Sequence, residues 1–453
     1  MGDLASIVKA YDIRGVVPDQ LDEGVAEAVG AAFARVTGAG TIVTMHDMRA
    51  SSAPLAEAFG RGAAAQGADV LAGGLASTDM LYYASGDLDV PGAMITASHN
   101  PSRYNGIKLC RAGAKPVGIQ TGLKEIKDLA ERALPPAPAP GTVTRRDLLP
   151  GYAEHLRKLV DISSIRPLTV AVDAGNGMAG YTVPRVFDGL PVTLIPLYFD
   201  LDGTFPNHEA NPIDPENLRD LQRAVTEHHA DIGLAFDGDA DRCFVVDERG
   251  ELVSPSVITA LIATRELARE PGATIIHNLI TSRAVPEIVR ENGGVPVRTR
   301  VGHSFIKAKM AEYGAVFGGE HSGHFYFRDF WFADSGMLAA LHTLAALGEQ
   351  PLPLSQLLAR YARYVASGEI NSEVTDQAAS TEQVRRAFAG RPGVSTDELD
   401  GLTVSTGTWW FNLRPSNTEP LLRLNVEADT EVTMAGLRDE VLDMVRGTTG
   451  HSG

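Results

Sequence analysis

The sequence is short of cysteine, of positive charge and of long apolar runs, and each shortage removes a class of function. Its two cysteines, Cys110 and Cys243, in 453 residues show neither metal-binding nor redox spacing. A chain of this length needs no disulfide framework, so both are expected to be reduced and structural. Forty Lys and Arg stand against 57 Asp and Glu, a formal net charge of −17. Nucleic acid or an anionic membrane needs an excess of cations on at least one face, so neither is expected as a partner. No run approaches 18 apolar residues and the N-terminus lacks an apolar signal region, which argues against membrane spanning and secretion and for the cytoplasm. Met1-Gly2 with Ser6 fits a myristoylation pattern, but no basic cluster supplies a second anchoring signal.

What is present is ample core and a recurring rhythm. At 44% hydrophobic residues, a chain this long exceeds what one core usually holds, so two to four domains are expected. Residues 1–145 alternate strand-like runs (Thr41 to Met45, Ala68 to Leu71, Ala93 to Ile95) with helical patterns at 21–37 and 53–67, which predicts an α/β unit. Within it, Ala133-Leu134-Pro135-Pro136-Ala137-Pro138-Ala139-Pro140-Gly141 excludes regular helix and central strand and reads as a linker. Residues 146–247 form a second α/β unit, with strands at Leu168 to Val172, Val192 to Tyr198 and Ile232 to Phe236 and helices near 149–160 and 215–229. Residues 248–365 repeat the theme, with strands at Thr274 to His277 and Val316 to Phe317 and an Ala/Leu-rich helix near 334–347. From 366 to 453, short strands (Glu369 to Val374, Leu402 to Thr406, Leu421 to Val426) and two helices predict a smaller α+β domain.

Four polar segments interrupt this rhythm. Ile95-Thr96-Ala97-Ser98-His99-Asn100-Pro101, with Lys108 beyond, places a hydroxyl nucleophile at the end of an apolar run beside an imidazole, an amide and an ammonium. Covalent phosphoryl chemistry on a serine needs such a set, although Ser98 and Asn100 equally suit a strand-to-turn junction. Asp237-Gly238-Asp239-Ala240-Asp241-Arg242 puts three carboxylates at alternate positions between two apolar strands. They repel one another unless a divalent cation joins them, and Mg²⁺ suits a site that also receives phosphate. A solvated acidic turn is the plainer reading. The loop nearly fits an EF-hand, with Glu248 at the twelfth position, but Arg242 stands where glycine is required and strands flank it.

In Gly318-Gly319-Glu320-His321-Ser322-Gly323-His324, Glu320 and Ser322 alternate as acceptor and donor for vicinal sugar hydroxyls, and His324 suits proton transfer near neutral pH. Thr299-Arg300-Val301-Gly302-His303 runs into a helix with Lys307, whose start favours anions. Arg414-Pro415-Ser416-Asn417-Thr418-Glu419-Pro420, with Arg423 after it, combines one full charge with neutral donors, as a phosphate monoester requires; the alternative is a self-capped turn. A phosphate bound there is so distant in sequence from Ser98 that its ligand must lie between domains.

Two rivals come from other classes. Gly175-Asn176-Gly177-Met178-Ala179-Gly180 follows a strand and has Asp200 twenty residues on, the fingerprint of a nicotinamide-dependent oxidoreductase. Pro184 breaks its helical pattern, and it leaves Ser98, the aspartate triplet and the Arg414 loop unexplained. A serine phosphohydrolase also uses Ser98 and a metal, and differs in letting water in.

The strings TASHNP, DGDADR, GEHSGH and RPSNTEP, in that order over nearly the whole chain, resemble the α-D-phosphohexomutase superfamily, as does Lys9-Ala10-Tyr11-Asp12-Ile13-Arg14-Gly15. Phe205 to Pro212 and the GEHSGH form are more similar to its bacterial phosphomannomutase/phosphoglucomutase branch than to phosphoglucosamine mutases, which remain the alternative. Met45-His46-Asp47-Met48-Arg49 departs from the family's Gly-Arg-Asp-Thr-Arg. The resemblance implies three similar mixed α/β domains plus the smaller α+β domain around a central cleft, and a small-molecule sugar phosphate as partner. It implies that Ser98 carries a phosphoryl group, and that one Mg²⁺ is held by Asp237, Asp239, Asp241 and the phosphoserine. Arg242 stabilises the transferring group, and hexose 1,6-bisphosphate is intermediate and activator. Arg414, Ser416, Asn417, Thr418 and Arg423 anchor phosphate, while Glu320 and Ser322 grip hydroxyls. Tyr11, Arg14, Lys108 and Lys307 serve the two orientations of the bisphosphate, and Lys108, His99, His303 or His324 moves the proton.

Overall fold

Apolar runs rich in β-branched residues form the buried strands of four sheets in the computed structural model, which describes residues 4–416 and 421–447. The first sheet is ordered Asp12–Val16, Tyr104–Arg111, Gly92–Ile95, Thr41–His46, Asp69–Leu75, Val143–Arg145, with Lys115–Pro116 added beside Tyr104–Arg111. Gly92–Ile95, Thr41–His46 and Asp69–Leu75 run parallel, whereas Tyr104–Arg111 turns back antiparallel. The Pro-rich segment read as a linker lies along this unit: Ala137 N–H donates to Ala65 O at 2.8 Å and Gly141 N–H to Ala64 O at 2.8 Å. The chain then adds Val143–Arg145 to the sheet edge.

The second sheet is ordered Leu252–Val253, Cys243–Asp247, Ile232–Phe236, Leu168–Asp173, Val192–Leu197, and the third Val295–Thr299, Thr274–Asn278, Phe317–Gly319, Phe325–Phe327, Ala333–Asp334. One device recurs in all three. A strand with a parallel neighbour ends, the chain makes a polar loop, and the next strand returns antiparallel: Gly92–Ile95 to Tyr104–Arg111, Ile232–Phe236 to Cys243–Asp247, Phe317–Gly319 to Phe325–Phe327. The three loops carry Ser98, the aspartates and Glu320 to His324, so each motif sits at the carboxyl end of its strand, where open α/β sheets place ligands. The fourth sheet is wholly antiparallel, Val365–Glu373, Leu421–Ala428, Trp409–Pro415, Leu402–Ser405, Ser395–Asp397. Helices Gln377–Phe388 and Glu431–Gly447 pack on it. Three α/β units and one α+β unit therefore match the expected architecture.

One continuous core runs through the first three units and includes Met80, Tyr152, Phe236 and Phe317. At its centre lies helix Gly336–Gly348, buried along its whole length, as its unbroken Ala/Leu composition requires. Ser335 caps it, accepting from Leu338 N–H at 3.0 Å. Asp79, fully buried, accepts from Tyr152 Oη at 2.7 Å and Ser335 Oγ at 2.6 Å, joining one residue from each unit. Burial pushes its carboxyl up to about 6 despite those donors. The fourth unit has a core of its own, including Phe388, Phe411, Leu424 and Val441. It meets the others through a small apolar cluster of Leu279, Ile280 and Trp410 and through polar contacts such as Arg283 N–H to Glu427 Oε1 at 3.0 Å and Val301 N–H to Asp400 Oδ2 at 3.1 Å.

Two elements that matter for the site fall outside the sequence expectation. Helix Thr78–Leu88 is buried on all sides of its first eight residues, so it lacks an amphipathic stripe. Strand Trp409–Pro415 buries five successive residues, Trp410 to Arg414, with Asn412 and Arg414 among them, so the alternation that marks a strand is missing.

Candidate functional site

Ser98 sits in the left-handed region at φ 51°, uncommon for a residue with a side chain and typical of functional loops. Its N–H donates to Thr96 Oγ1 at 2.9 Å. The loop's carbonyls converge on one guanidinium: Arg49 Nη2 donates to Ser98 O at 3.0 Å and Asn100 O at 2.6 Å, and Nη1 to Pro101 O at 3.0 Å and Tyr104 O at 3.1 Å. Asp47, fully buried, holds Arg49 through its backbone N–H at 2.9 Å and an ion pair at 3.3 Å. Phe205 lies over Arg49 at 5.0 Å. The segment that departs from the family string is thus the scaffold of the serine loop. Arg49→Met leaves Asp47 buried without its cation, and an expected loss of about 3–5 kcal/mol follows; a urea unfolding midpoint equal to that of the parent protein would refute this.

The serine loop touches the acidic loop directly. Ser98 Oγ donates to Asp237 Oδ2 at 2.8 Å, and a Cβ on Gly238 would lie 2.5 Å from Ser98 O. Glycine alone allows that approach. Arg242 Nε donates to Asp237 Oδ2 at 2.8 Å, while Lys108 Nζ lies 2.7 Å from both Asp239 Oδ2 and Asp241 Oδ2. Thr78 Oγ1 adds a hydrogen bond to Asp239 Oδ2 at 2.5 Å. Burial raises Asp241 and the Asp239 charge raises it further, up to about 7. Burial also opposes the charge of Lys108, but the two aspartates win and hold its pKa above the ordinary value.

Asp239 Oδ1 and Asp241 Oδ1 are buried with no hydrogen-bond partner among the described residues. The three carboxylates can bring ligand oxygens within 4.8 Å of one another. Hard oxygens, unsatisfied and crowded, fit a divalent cation.

The third loop is joined to the second by a β-bridge between Arg242 and His324. His324 Nδ1 lies 3.0 Å from Asp334 Oδ2, and Lys307 Nζ lies 2.6 Å from Asp334 Oδ1. Burial disfavours charged His324, but Asp241 and Asp334 more than offset this and raise its pKa. His99, with Nδ1 3.3 Å from Ser98 Oγ, goes the other way: burial and the charges of Arg242 and Arg14 hold it well below the usual histidine value. Lys307, which the resemblance makes a donor to the bisphosphate, is buried with its ammonium against Asp334 and over the Tyr82 ring at 4.1 Å. Glu320 accepts from Ser322 Oγ at 3.1 Å, Tyr326 Oη at 3.2 Å and Gly302 N–H at 3.1 Å, leaving about one acceptor position for a ligand.

Tyr11, Arg14, Ser98, His99, Lys108, Arg242 and His324 line one pocket of about 130 Å³. Arg14 pairs with Asp12 at 2.5 Å and with Asn100. Ser322, Arg414 and Arg423 line a cleft of about 670 Å³ walled by the second, third and fourth units, within the range of small-molecule sites. Ser416 N–H donates to Leu421 O at 2.8 Å. Asn417 and Thr418 lie outside the described residues, as does the side chain of His303, which opens helix His303–Tyr313. Thr78 and Asp334 were missed by sequence reading, since neither lies inside a polar motif of recognisable spacing, and Asp47 and Arg49 were noted there only as part of a segment that departs from the family string.

The glycine fingerprint at 175–180 is filled by the protein itself. A Cβ on Gly177 would lie 2.7 Å from Gly238 O, and one on Gly180 2.3 Å from Phe199 O. The turn packs behind the acidic loop, and Pro184 lies inside helix Ala179–Val186 instead of breaking it. Packing against the acidic loop and Phe199 accounts for both glycines without a dinucleotide, so the string no longer argues for an oxidoreductase.

Comparison with known proteins agrees with this geometry. The chain matches four family models in order, described as phosphoglucomutase/phosphomannomutase alpha/beta/alpha domain I over residues 5–135, domain II over 150–250, domain III over 254–364 and the C-terminal domain over 369–444. It is 41% identical over 444 residues to a protein of Xanthomonas campestris named phosphohexose mutases, covering 97% of this chain and 99% of that one. It is 40% identical over 451 residues to a phosphomannomutase of Escherichia coli, covering 97% and 98%. A crystal structure of a phosphoglucomutase/phosphomannomutase family protein from Burkholderia thailandensis superposes with a TM-score of 0.89 at 34% identity, covering 99% of this chain and 98% of that one. Among the described residues no helix is long and apolar enough to cross a membrane.

Proposed function

Because the chain belongs to the phosphoglucomutase/phosphomannomutase family and is an isomerase acting on hexose phosphates, we propose that it interconverts hexose 1-phosphate and hexose 6-phosphate, of mannose, glucose or both, through phosphorylated Ser98. The observation that carries this reading is the 2.8 Å contact between Ser98 Oγ and Asp237 Oδ2, with Ser98 lining a pocket together with Lys108, Arg242 and His324. The neutral hydroxyl is a satisfied donor to that carboxylate, but a phosphorylated one would set negative charge beside negative charge. A phosphoserine of roughly −2 charge needs a divalent ion there.

Asp237, Asp239, Asp241 and an oxygen of phosphorylated Ser98 would hold Mg²⁺. Bound there, the ion supplies positive charge to the transferring group. Arg242, fixed through Asp237, adds a second cation on the same side. Lys108 stays charged between two aspartates and acts electrostatically, and His99 stays neutral. His324 suits the proton: Asp334 accepts from Nδ1–H, so the neutral ring has Nε2 ready to take the proton of the attacking sugar hydroxyl. The phosphoryl group then passes from Ser98 to that hydroxyl, giving hexose 1,6-bisphosphate, which turns over and returns its other phosphate to Ser98. Arg414 and Arg423, with Ser416, Asn417 and Thr418, anchor whichever phosphate is not reacting, and Glu320 and Ser322 orient the hydroxyls. Since the fourth unit has its own core and meets the rest through a small apolar cluster and a few polar contacts, it hinges to admit and enclose the sugar.

Incubation with mannose 1-phosphate or glucose 1-phosphate, Mg²⁺ and a trace of hexose 1,6-bisphosphate is expected to yield the 6-phosphate. Free phosphate without isomer would replace this reading by a serine phosphohydrolase, and turnover of glucosamine phosphate alone by a phosphoglucosamine mutase. Asp334→Asn removes one of the two charges that raise His324. Deprotonation of His324 then moves to lower pH, so the acid limb of the kcat profile is expected to shift downward while kcat falls about tenfold; an unmoved limb would exclude His324 as the base.

A further inference from the structure

We infer that Glu369 is a built-in surrogate for the substrate's phosphate, holding Arg414 and Arg423 together in the cleft and giving them up when the phosphate arrives. This deepens the hexose-phosphate reading of the cleft and rests on it.

Arg414 and Arg423 are register partners on antiparallel neighbouring strands, an arrangement in which like charges repel. Glu369, on the strand beside Leu421–Ala428, bridges them with one oxygen each: Oε1 lies 3.4 Å from Arg423 Nη1, and Oε2 pairs with Arg414 Nη2. The pairing leaves donors over. Arg414 has a side chain only 7% exposed, yet its Nη1 is buried without a hydrogen-bond partner among the described residues, as is Arg423 Nε. A carboxylate offers two oxygens on one charge, whereas a phosphate monoester offers three on nearly two charges, so the same two guanidiniums hold the phosphate better.

Glu369 is also placed to be exchanged. It is 28% exposed and lines the cleft with Ser322 and both arginines, instead of lying sealed behind them. It follows a bulge between Ala366 and Glu369, where Gly368 has φ 69°, in the first strand of the fourth unit. A consequence is selectivity for charge: a singly charged ligand merely trades places with Glu369, while a doubly charged phosphate gains over it.

Glu369→Gln keeps the shape and removes the competing charge. Inorganic phosphate, titrated calorimetrically into the full-length protein, is expected to bind about threefold to tenfold more tightly to this variant, with KM for hexose 1-phosphate lowered by a similar factor and kcat not raised. Glu431→Gln, the same charge change at the start of helix Glu431–Gly447, is expected to alter neither. Weaker phosphate binding and a raised KM in Glu369→Gln would overturn the inference and make Glu369 a support for the arginines. So would an absence of phosphate binding in both proteins, or an equal gain in Glu431→Gln. If Glu369→Gln does not fold, Glu369→Asp draws the carboxylate back from the pair and is read by the same criteria. Absence of isomer from the parent protein would defeat the mutase reading alone, since the phosphate titrations judge Glu369 independently.

Discussion

Ser98→Ala is expected to lower mutase turnover by about 10⁴-fold or more, because the phosphoryl group then has no oxygen to return to and binding alone remains. The loss is chemical and not conformational. Alanine tolerates φ 51° as well as serine does, and the loop's carbonyls stay anchored on Arg49. The hydrogen bond to Asp237 and the longer contact with His99 disappear, at a cost of about 1 kcal/mol. Two measurements separate this from unfolding: the urea midpoint stays close to that of the parent protein, and intact mass shows no phosphoryl adduct after incubation with hexose bisphosphate. Turnover near the parent rate would remove Ser98 from the mechanism.

Lys108→Met tests the acidic loop. Its ammonium is the shared counter-ion of Asp239 and Asp241, so removing it in metal-free protein leaves two buried carboxylates facing each other beside Asp237. The expected loss is about 3–5 kcal/mol of stability. Asp241, already pushed up to about 7 by burial and by Asp239, then takes a proton over a wider pH range. Stability gained from keeping a raised carboxyl neutral is fully present at low pH and is lost as pH rises through the folded value, so the variant is most impaired above neutrality. Mg²⁺ restores the missing charge and is expected to raise the melting temperature of Lys108→Met more than that of the parent. Turnover falls about 10²-fold to 10³-fold even with the ion present, since one cation near the transferring group is gone. Equal melting in EDTA for both proteins would show that Lys108 is not the counter-ion.

The sequence by itself determined the class of architecture and the chemistry of three loops. Alternating apolar runs and helical patterns predict α/β units because each strand needs two covered faces and each helix one. Asp237, Asp239 and Asp241 declare themselves because such crowding is costly without a cation. Spacing along the chain also placed Ser98, Glu320 and Arg414 in separate units. Tertiary structure decided what these groups do to one another. Nothing local pairs Lys108 with Asp239, lays Gly238 on the carbonyl of Ser98, or hands Arg49 the loop's carbonyls, since these contacts join residues tens to more than a hundred positions apart. The same holds for Asp334, which reads as the start of an Ala/Leu-rich helix until the fold sets it between His324 and Lys307. It holds too for the glycines at 175–180, whose string promises a nucleotide site and whose packing closes it. Charge and hydrogen bonding act over a few ångströms, so which proton carrier is raised, which is lowered and which cation is already engaged depends on distances that only the folded chain sets.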